Sequence, residues 1–198
     1  MKYLILLILL NTYANYCQSR EYFTDMDNDK DVDSVKIYSE NNTTFIKCNN
    51  SIVDLGAVSL NPVIRTDSSI VDFLLVDFNN DSTKEIVLST DHPIFANKTI
   101  LYFLSYKDSV LEKMNVDFGS NKTYDHIIVL DRIALFDDCN SNFYCKVGNI
   151  GFNHIDGNTV FYEKIILIKW DQYLSGLILA GEKYFLNIEN EELKEIVF

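Results

Sequence analysis

The sequence predicts an all-β fold of mostly antiparallel strands. Three observations carry that reading. Short segments rich in Val, Ile, Phe, Tyr and Thr alternate with clusters of Asn, Asp and Ser. Apolar residues at helical spacing are scarce, and the only helix the pattern offers is one turn over the acidic stretch Glu189–Glu195. An Asp-rich loop recurs after 52 residues, from Asp25 to Asp77, and a repeat of that period marks a stacked or blade-like β unit.

Composition sets the frame for these elements. The 198 residues are 47% hydrophobic and 23% charged, with 7 Gly and 2 Pro, which excludes disordered, collagen-like and linker sequence. Acidic residues number 29 against 17 basic, a net charge of −12. That excess repels phosphate backbones and anionic lipid, so neither nucleic acid nor a membrane surface is an expected partner.

The chain opens with one Lys and an apolar run from Tyr3 to Leu10. The run is too short to span a bilayer and is followed by small and polar residues, which predicts a secretory signal over residues 1–14. Cleavage falls after Ala14, or as late as Cys17 or Ser19. No segment of the remaining chain is long and apolar enough to be a membrane helix, and the expected location is secreted or periplasmic. Lipid anchoring through Cys17 is disfavoured by Tyr16, because a lipidation site wants a small residue just before the Cys. Export permits disulfides. Cys139 and Cys145 enclose a short polar loop suited to a staple, and Cys17 could pair with Cys48. No Cys-x-x-Cys spacing suggests zinc.

Residues 15–198 form one predicted β domain. Its expected strands are Ser34–Tyr38, Thr43–Cys48, Asp72–Val76, Glu85–Ser89, Thr99–Tyr106, Val110–Phe118, His126–Leu130, Thr159–Trp170, Leu177–Ala180 and Tyr184–Ile188. Asp156-Gly157 suits a tight hairpin, since both central residues take positive φ. Gly181-Glu182 reads as a second hairpin.

The chemistry lies in the loops. Asp25, Asp27, Asp29, Asp31 and Asp33 place five carboxylates in nine residues. Ca²⁺ takes six to eight oxygens, and a tightly curved loop offers positions 1, 3, 5 and 9 as carboxylates and position 7 as a backbone carbonyl. Asp25, Asp27, Asp29 and Asp33 fill the side-chain positions, and Asp31 gives its carbonyl. Asp77, Asn79, Asp81 and Glu85 repeat the 1, 3, 5, 9 spacing. A helix–loop–helix calcium site needs Gly at position 6 and Glu at position 12. These positions hold Lys30 and Lys36 in the first loop, and Ser82 and Leu88 in the second, so that motif is rejected.

The stretch Asp25-Met26-Asp27-Asn28-Asp29-Lys30-Asp31-Val32-Asp33, followed by Ser34-Val35-Lys36-Ile37-Tyr38, resembles the calcium loop of FG-GAP/VCBS repeats. Asp77–Leu88 is similar to a second, degenerate copy. The resemblance implies a β-propeller-like unit whose loop joins two strands and binds Ca²⁺ structurally, with repeats at about 20–60 and 72–114. This length rules out a full seven-blade ring, leaving a small propeller or partial β array. The family usually has Gly at position 6. If that position takes positive φ, Lys30 and Ser82 adopt it at a cost. Asp138-Cys139-Asn140-Ser141-Asn142 has the spacing of a third loop, but Lys146 at position 9 marks it as decayed.

No nucleophile elbow, His-Glu-x-x-His or phosphate-binding glycine loop is present, so no catalytic or cofactor-binding residue is assigned. His92, His126 and His154 are isolated, and Trp170 reads as a strand-end aromatic. Asn41, Asn42, Asn49, Asn80, Asn97 and Asn121 fall in glycosylation sequons, although low-GC codon usage explains the Asn abundance equally simply. The expected function is an exported calcium-binding module that binds another protein or an extracellular glycan, and not an enzyme. The alternatives are a periplasmic inhibitor or immunity protein against a lysozyme-like wall-degrading enzyme, and a carbohydrate-active enzyme.

Overall fold

A computed structural model describes residues 19–66, 69–95, 98–130, 134–137, 142–155, 158–187 and 194–196. The predicted signal segment, Cys17, Cys139 and most of the third Asp/Asn stretch lie outside the described residues. All regular structure within them is β. In chain order the strands are β1 (Arg20–Thr24), β2 (Asp33–Glu40), β3 (Thr43–Cys48), β4 (Ser51–Gly56), β5 (Ile64–Arg65), β6 (Ile70–Val71), β7 (Phe73–Val76), β8 (Glu85–Asp91) and β9 (Lys98–Lys107). They continue with β10 (Val110–Lys113), β11 (Val116–Asp117), β12 (Thr123–Tyr124), β13 (Ile127–Leu130), β14 (Ala134–Asp137), β15 (Asn142–Ile155), β16 (Asn158–Asp171), β17 (Gly176–Asn187) and β18 (Lys194–Ile196).

These strands form three sheets, none closed into a barrel. The first is the antiparallel meander β1-β2-β3-β4. The second is the meander β7-β8-β9-β10, with β13 pairing the start of β9. The third has nine strands built around the long β15-β16-β17 ribbon, and admits two parallel pairs, β11 with β17 and β14 with β5.

Residue alternation explains the stacking. In β2 and β3 every second residue is buried, so the first sheet has one core face. Six consecutive residues of β8 are buried, from Glu85 to Thr90. A strand that is buried on both faces reads as a continuous apolar run, and Ile86-Val87-Leu88 does so. Ile86, Leu88, Ile100, Tyr102 and Leu104 pack with Met26, Val35, Ile37 and Ile46 of the first meander. Val87, Leu101 and Phe103 point the other way, into a core with Phe143, Ile166, Ile168 and Leu177 of the third sheet. The second sheet is therefore the middle layer.

Four expectations change. Val110–Phe118 is not one strand: Leu111 stays in the first core, while Val116 enters the second and joins the third sheet. The crossing follows Met114, whose N–H donates to the Phe103 carbonyl at 2.8 Å. Gly181-Glu182 is not a turn. Gly181 lacks positive φ and pairs Leu167 within the continuous β17, where a register shift at Leu167/Ile168 absorbs the irregularity. Lys194 and Glu195, at the end of the acidic C-terminal stretch, belong to β18 beside β17; residues 189–193, where the rest of the expected helix turn falls, lie outside the described residues. The sequence pattern also misses β1, β4, β14 and β15, and the two-residue strands β5, β6 and β12. By contrast, Ile155 pairs Asn158 across the expected Asp156-Gly157 hairpin, whose two turn residues lie outside the described residues.

Candidate metal centre

Each Asp-rich loop closes the first hairpin of a four-stranded meander. The first runs from Asp25 to Asp33 between β1 and β2, and the second from Asp77 to Glu85 between β7 and β8. The two share their hydrogen bonds position by position. The position 2 N–H donates to the position 9 carboxylate: Met26 N to Asp33 Oδ2 at 2.8 Å, and Phe78 N to Glu85 Oε2 at 3.0 Å. The position 6 N–H donates to the position 1 carboxylate: Lys30 to Asp25 at 3.1 Å, and Ser82 to Asp77 at 2.9 Å. The position 7 N–H donates to the position 5 carboxylate: Asp31 to Asp29 at 2.7 Å, and Thr83 to Asp81 at 2.8 Å. Positions 4 and 6 both take left-handed backbone, at φ 61° and 77° for Asn28 and Lys30 and 59° and 73° for Asn80 and Ser82. The positive φ that Gly usually supplies at position 6 is present without Gly.

The loops differ in what their side chains need. In the first, one ligand-type oxygen from each of Asp25, Asp27 and Asp29 lies within 4.8 Å of the others, the one such group among the described residues. Asp25 Oδ1 and Asp27 Oδ1 are buried and accept no hydrogen bond. Burial first, then the charges of Asp29 and Asp33, raise the Asp27 pKa above the ordinary carboxylate range. Asp31 is exposed, and its carboxylate is not part of this group. Asp33 is buried at the start of β2 and accepts from Asn49 Nδ2 as well as from Met26.

The second loop satisfies itself. Asn79 stands where the first loop has Asp27, and its amide donates to Asp81 Oδ2 at 2.8 Å. Asp81 also accepts from the Thr83 N–H and hydroxyl. Burial pushes the Asp81 pKa up, but these Thr83 and Asn79 bonds outweigh it and hold the carboxyl below its ordinary value. Glu85 is buried, and burial drives its pKa up to about 7, with Asp81 and Asp77 adding to the shift and the Phe78 N–H opposing it.

Two residues that support the first loop were not evident in the sequence. Asn49, in the β3–β4 turn, accepts from Ser34 N at 3.1 Å and donates to Tyr106 Oη at 3.0 Å, besides holding Asp33. Its signal was an Asn-Asn pair between two strands. Tyr106 belongs to the middle sheet and carries no local signal.

Both loops face one cavity of about 930 Å³, which also reaches the β9–β10 turn and the β16–β17 turn. Asp27, Asp29, Asp81, Glu85, Asp108 and Glu112 line it against Lys107 and Lys113, so carboxylates dominate its charge. Trp170 forms part of the wall. Beyond it, Asp171 Oδ1 accepts from Tyr173 N and Leu174 N, both at 2.9 Å, and fixes a turn on which Tyr173 is 99% exposed.

His92 and His126 make local contacts. His92 Nδ1 accepts from Ile94 and Phe95 N–H groups, and His126 bonds to Asp125 at 2.7 Å. His154 lies on β15. Among the described residues Cys48 has no disulfide partner; its thiol lies within the first core and is pushed up to about 12 by burial, while Cys17, its expected partner, lies outside them. Comparison of the chain with protein-family models, curated proteins and solved structures gave no match.

Proposed function

We propose that the chain is an exported calcium-binding β module that works by holding another protein or an extracellular glycan, and that it is not an enzyme. One observation carries the calcium reading: two buried carboxylate oxygens, Asp25 Oδ1 and Asp27 Oδ1, face a three-carboxylate cluster and have no hydrogen-bond donor. A buried charged oxygen without a partner is costly, and a hard divalent cation supplies the missing partner for both. Asp25, Asp27, Asp29 and Asp33 with the Asp31 carbonyl would hold the first ion. Asp77, Asn79, Asp81 and Glu85 would hold a second ion less tightly, because hydrogen bonds already occupy their oxygens. Two four-stranded meanders, each with its loop between the first and second strands, support kinship with FG-GAP/VCBS repeats and a partial propeller-like array.

Bound Ca²⁺ cancels clustered charge and adds stability by binding only the folded loop. Thermal melting with Ca²⁺ and with chelator tests this. The transition moves upward with Ca²⁺ in the parent protein and stays fixed in Asp27→Ala. Equal melting of the parent in both conditions refutes the reading. The exposed Tyr173 turn beside an acidic cavity favours a protein as the partner, which also suits the inhibitor or immunity alternative.

A further inference from the structure

We propose that the second loop acts as a positioning element for the first: the Lys84 side chain holds Thr24, the residue before the ligand Asp25, and so tunes the calcium affinity of a loop to which it contributes no ligand. This rests on the calcium reading of the first loop and specifies how that site is regulated.

Met26 sits between Asp25 and Asp27, the two residues with unpartnered buried oxygens. Its peptide groups are held on both sides. The N–H donates to Asp33 within the loop, at 2.8 Å. The carbonyl accepts from the Lys84 N–H of the other loop, also at 2.8 Å. The Met26 side chain is fully buried in the core shared by the two meanders, so the residue cannot turn without disturbing that core. Lys84 also extends its Nζ to Thr24 Oγ1 at 2.7 Å, just before Asp25. Two further contacts fix the same pair of hairpins. Arg20 binds both Asp72 oxygens at 2.6 and 2.7 Å, and Tyr22 stacks on Phe73 with ring centroids 4.4 Å apart. The residues flanking Asp25 and Asp27 are thus held by the second hairpin as well as by their own.

Lys84 carries a positive charge, whose removal alone would strengthen cation binding. Thr24 separates position from charge. Thr24→Val keeps the shape and charge of the site while removing the acceptor, and Thr24→Ser keeps the acceptor. Calorimetric titration with CaCl₂ is the test, with circular dichroism to check that each variant is folded. Thr24→Val is expected to weaken the site abolished by Asp27→Asn by about tenfold, a common size for coupling through packed contacts. Thr24→Ser is expected to stay within about twofold of the parent. A folded Thr24→Val that binds with parental affinity overturns the positioning role and leaves the calcium site standing. A parent protein that gives no calcium heat overturns the calcium reading itself. Should Thr24→Val not fold, Lys84→Met replaces it: weaker binding despite the lost positive charge supports the grip, and unchanged or tighter binding contradicts it.

Discussion

At the scale of single residues, the loops combine strain and unmet charge. Left-handed backbone costs a non-glycine residue about 1–2 kcal/mol. Lys30 and Ser82 both adopt it at position 6. Lys30→Gly is therefore expected to raise stability by up to about 1 kcal/mol, the gain being trimmed by the freer unfolded chain of glycine. Urea denaturation measures it, and a loss of stability would contradict the strain. Asn49 tests the support of Asp33. Asn49 itself has φ of 49°, so Asn49→Gly preserves the backbone and removes only the amide. It is expected to cost about 1–3 kcal/mol, the range for leaving a buried acceptor unpaired. The carboxylate cluster was legible in the sequence because one loop presents its residues at fixed spacing. Asn49, Tyr106 and Lys84 were not, because their contacts span 16, 57 and 60 residues of separation. Asparagine abundance also gains a physical reason. Asn28, Asn41, Asn42, Asn49, Asn80 and Asn121 all occupy left-handed turn positions, which asparagine tolerates better than most residues.

At the scale of elements, the two hairpins are the same device with different chemistry at position 3. Aspartate leaves the first loop with excess charge, and asparagine seals the second. Glu85 then gives the second hairpin a pH signature. Its folded-state pKa of about 7 lies above the ordinary 4.5. Folding therefore favours the protonated form. In calcium-free protein this contribution is complete below pH 4.5 and is lost as pH rises to 7, an effect of at most about 3 kcal/mol. Glu85→Gln is expected to flatten that part of the stability profile in chelator; an unchanged slope would contradict the assignment. The hairpins were readable because alternation and turn chemistry are local. β17 was not, since Gly181 marks a turn by composition while its partner strand β16 carries pairing straight past it. Likewise Val110–Phe118 reads as one strand, yet its halves serve different cores.

At the scale of the whole molecule, the sequence indicated all-β structure and a repeat but not the layering. That depends on which sheet is buried on both faces, and only the continuous apolar runs of β8 and β9 hinted at it. The net charge of −12 also has a local structure. Eight acids, Asp25, Asp27, Asp29, Asp31, Asp33, Asp77, Asp81 and Glu85, sit in the two loops. Each bound Ca²⁺ would reduce the total by two, from −12 to −10 and then to −8. Ca²⁺ at a hundred times its Kd contributes about 2.7 kcal/mol. For a protein of this size that is a rise in Tm of roughly 5–10 °C. The shift should vanish in Asp27→Ala, yet persist in Asn79→Ala, which touches only the self-sealed loop. The most direct test of the central claim is calorimetric titration of the purified protein with CaCl₂ at pH 7.5. The account expects saturable binding with one dominant site, lost in Asp27→Ala. Absence of binding heat, together with a Tm identical in Ca²⁺ and in chelator, would contradict it.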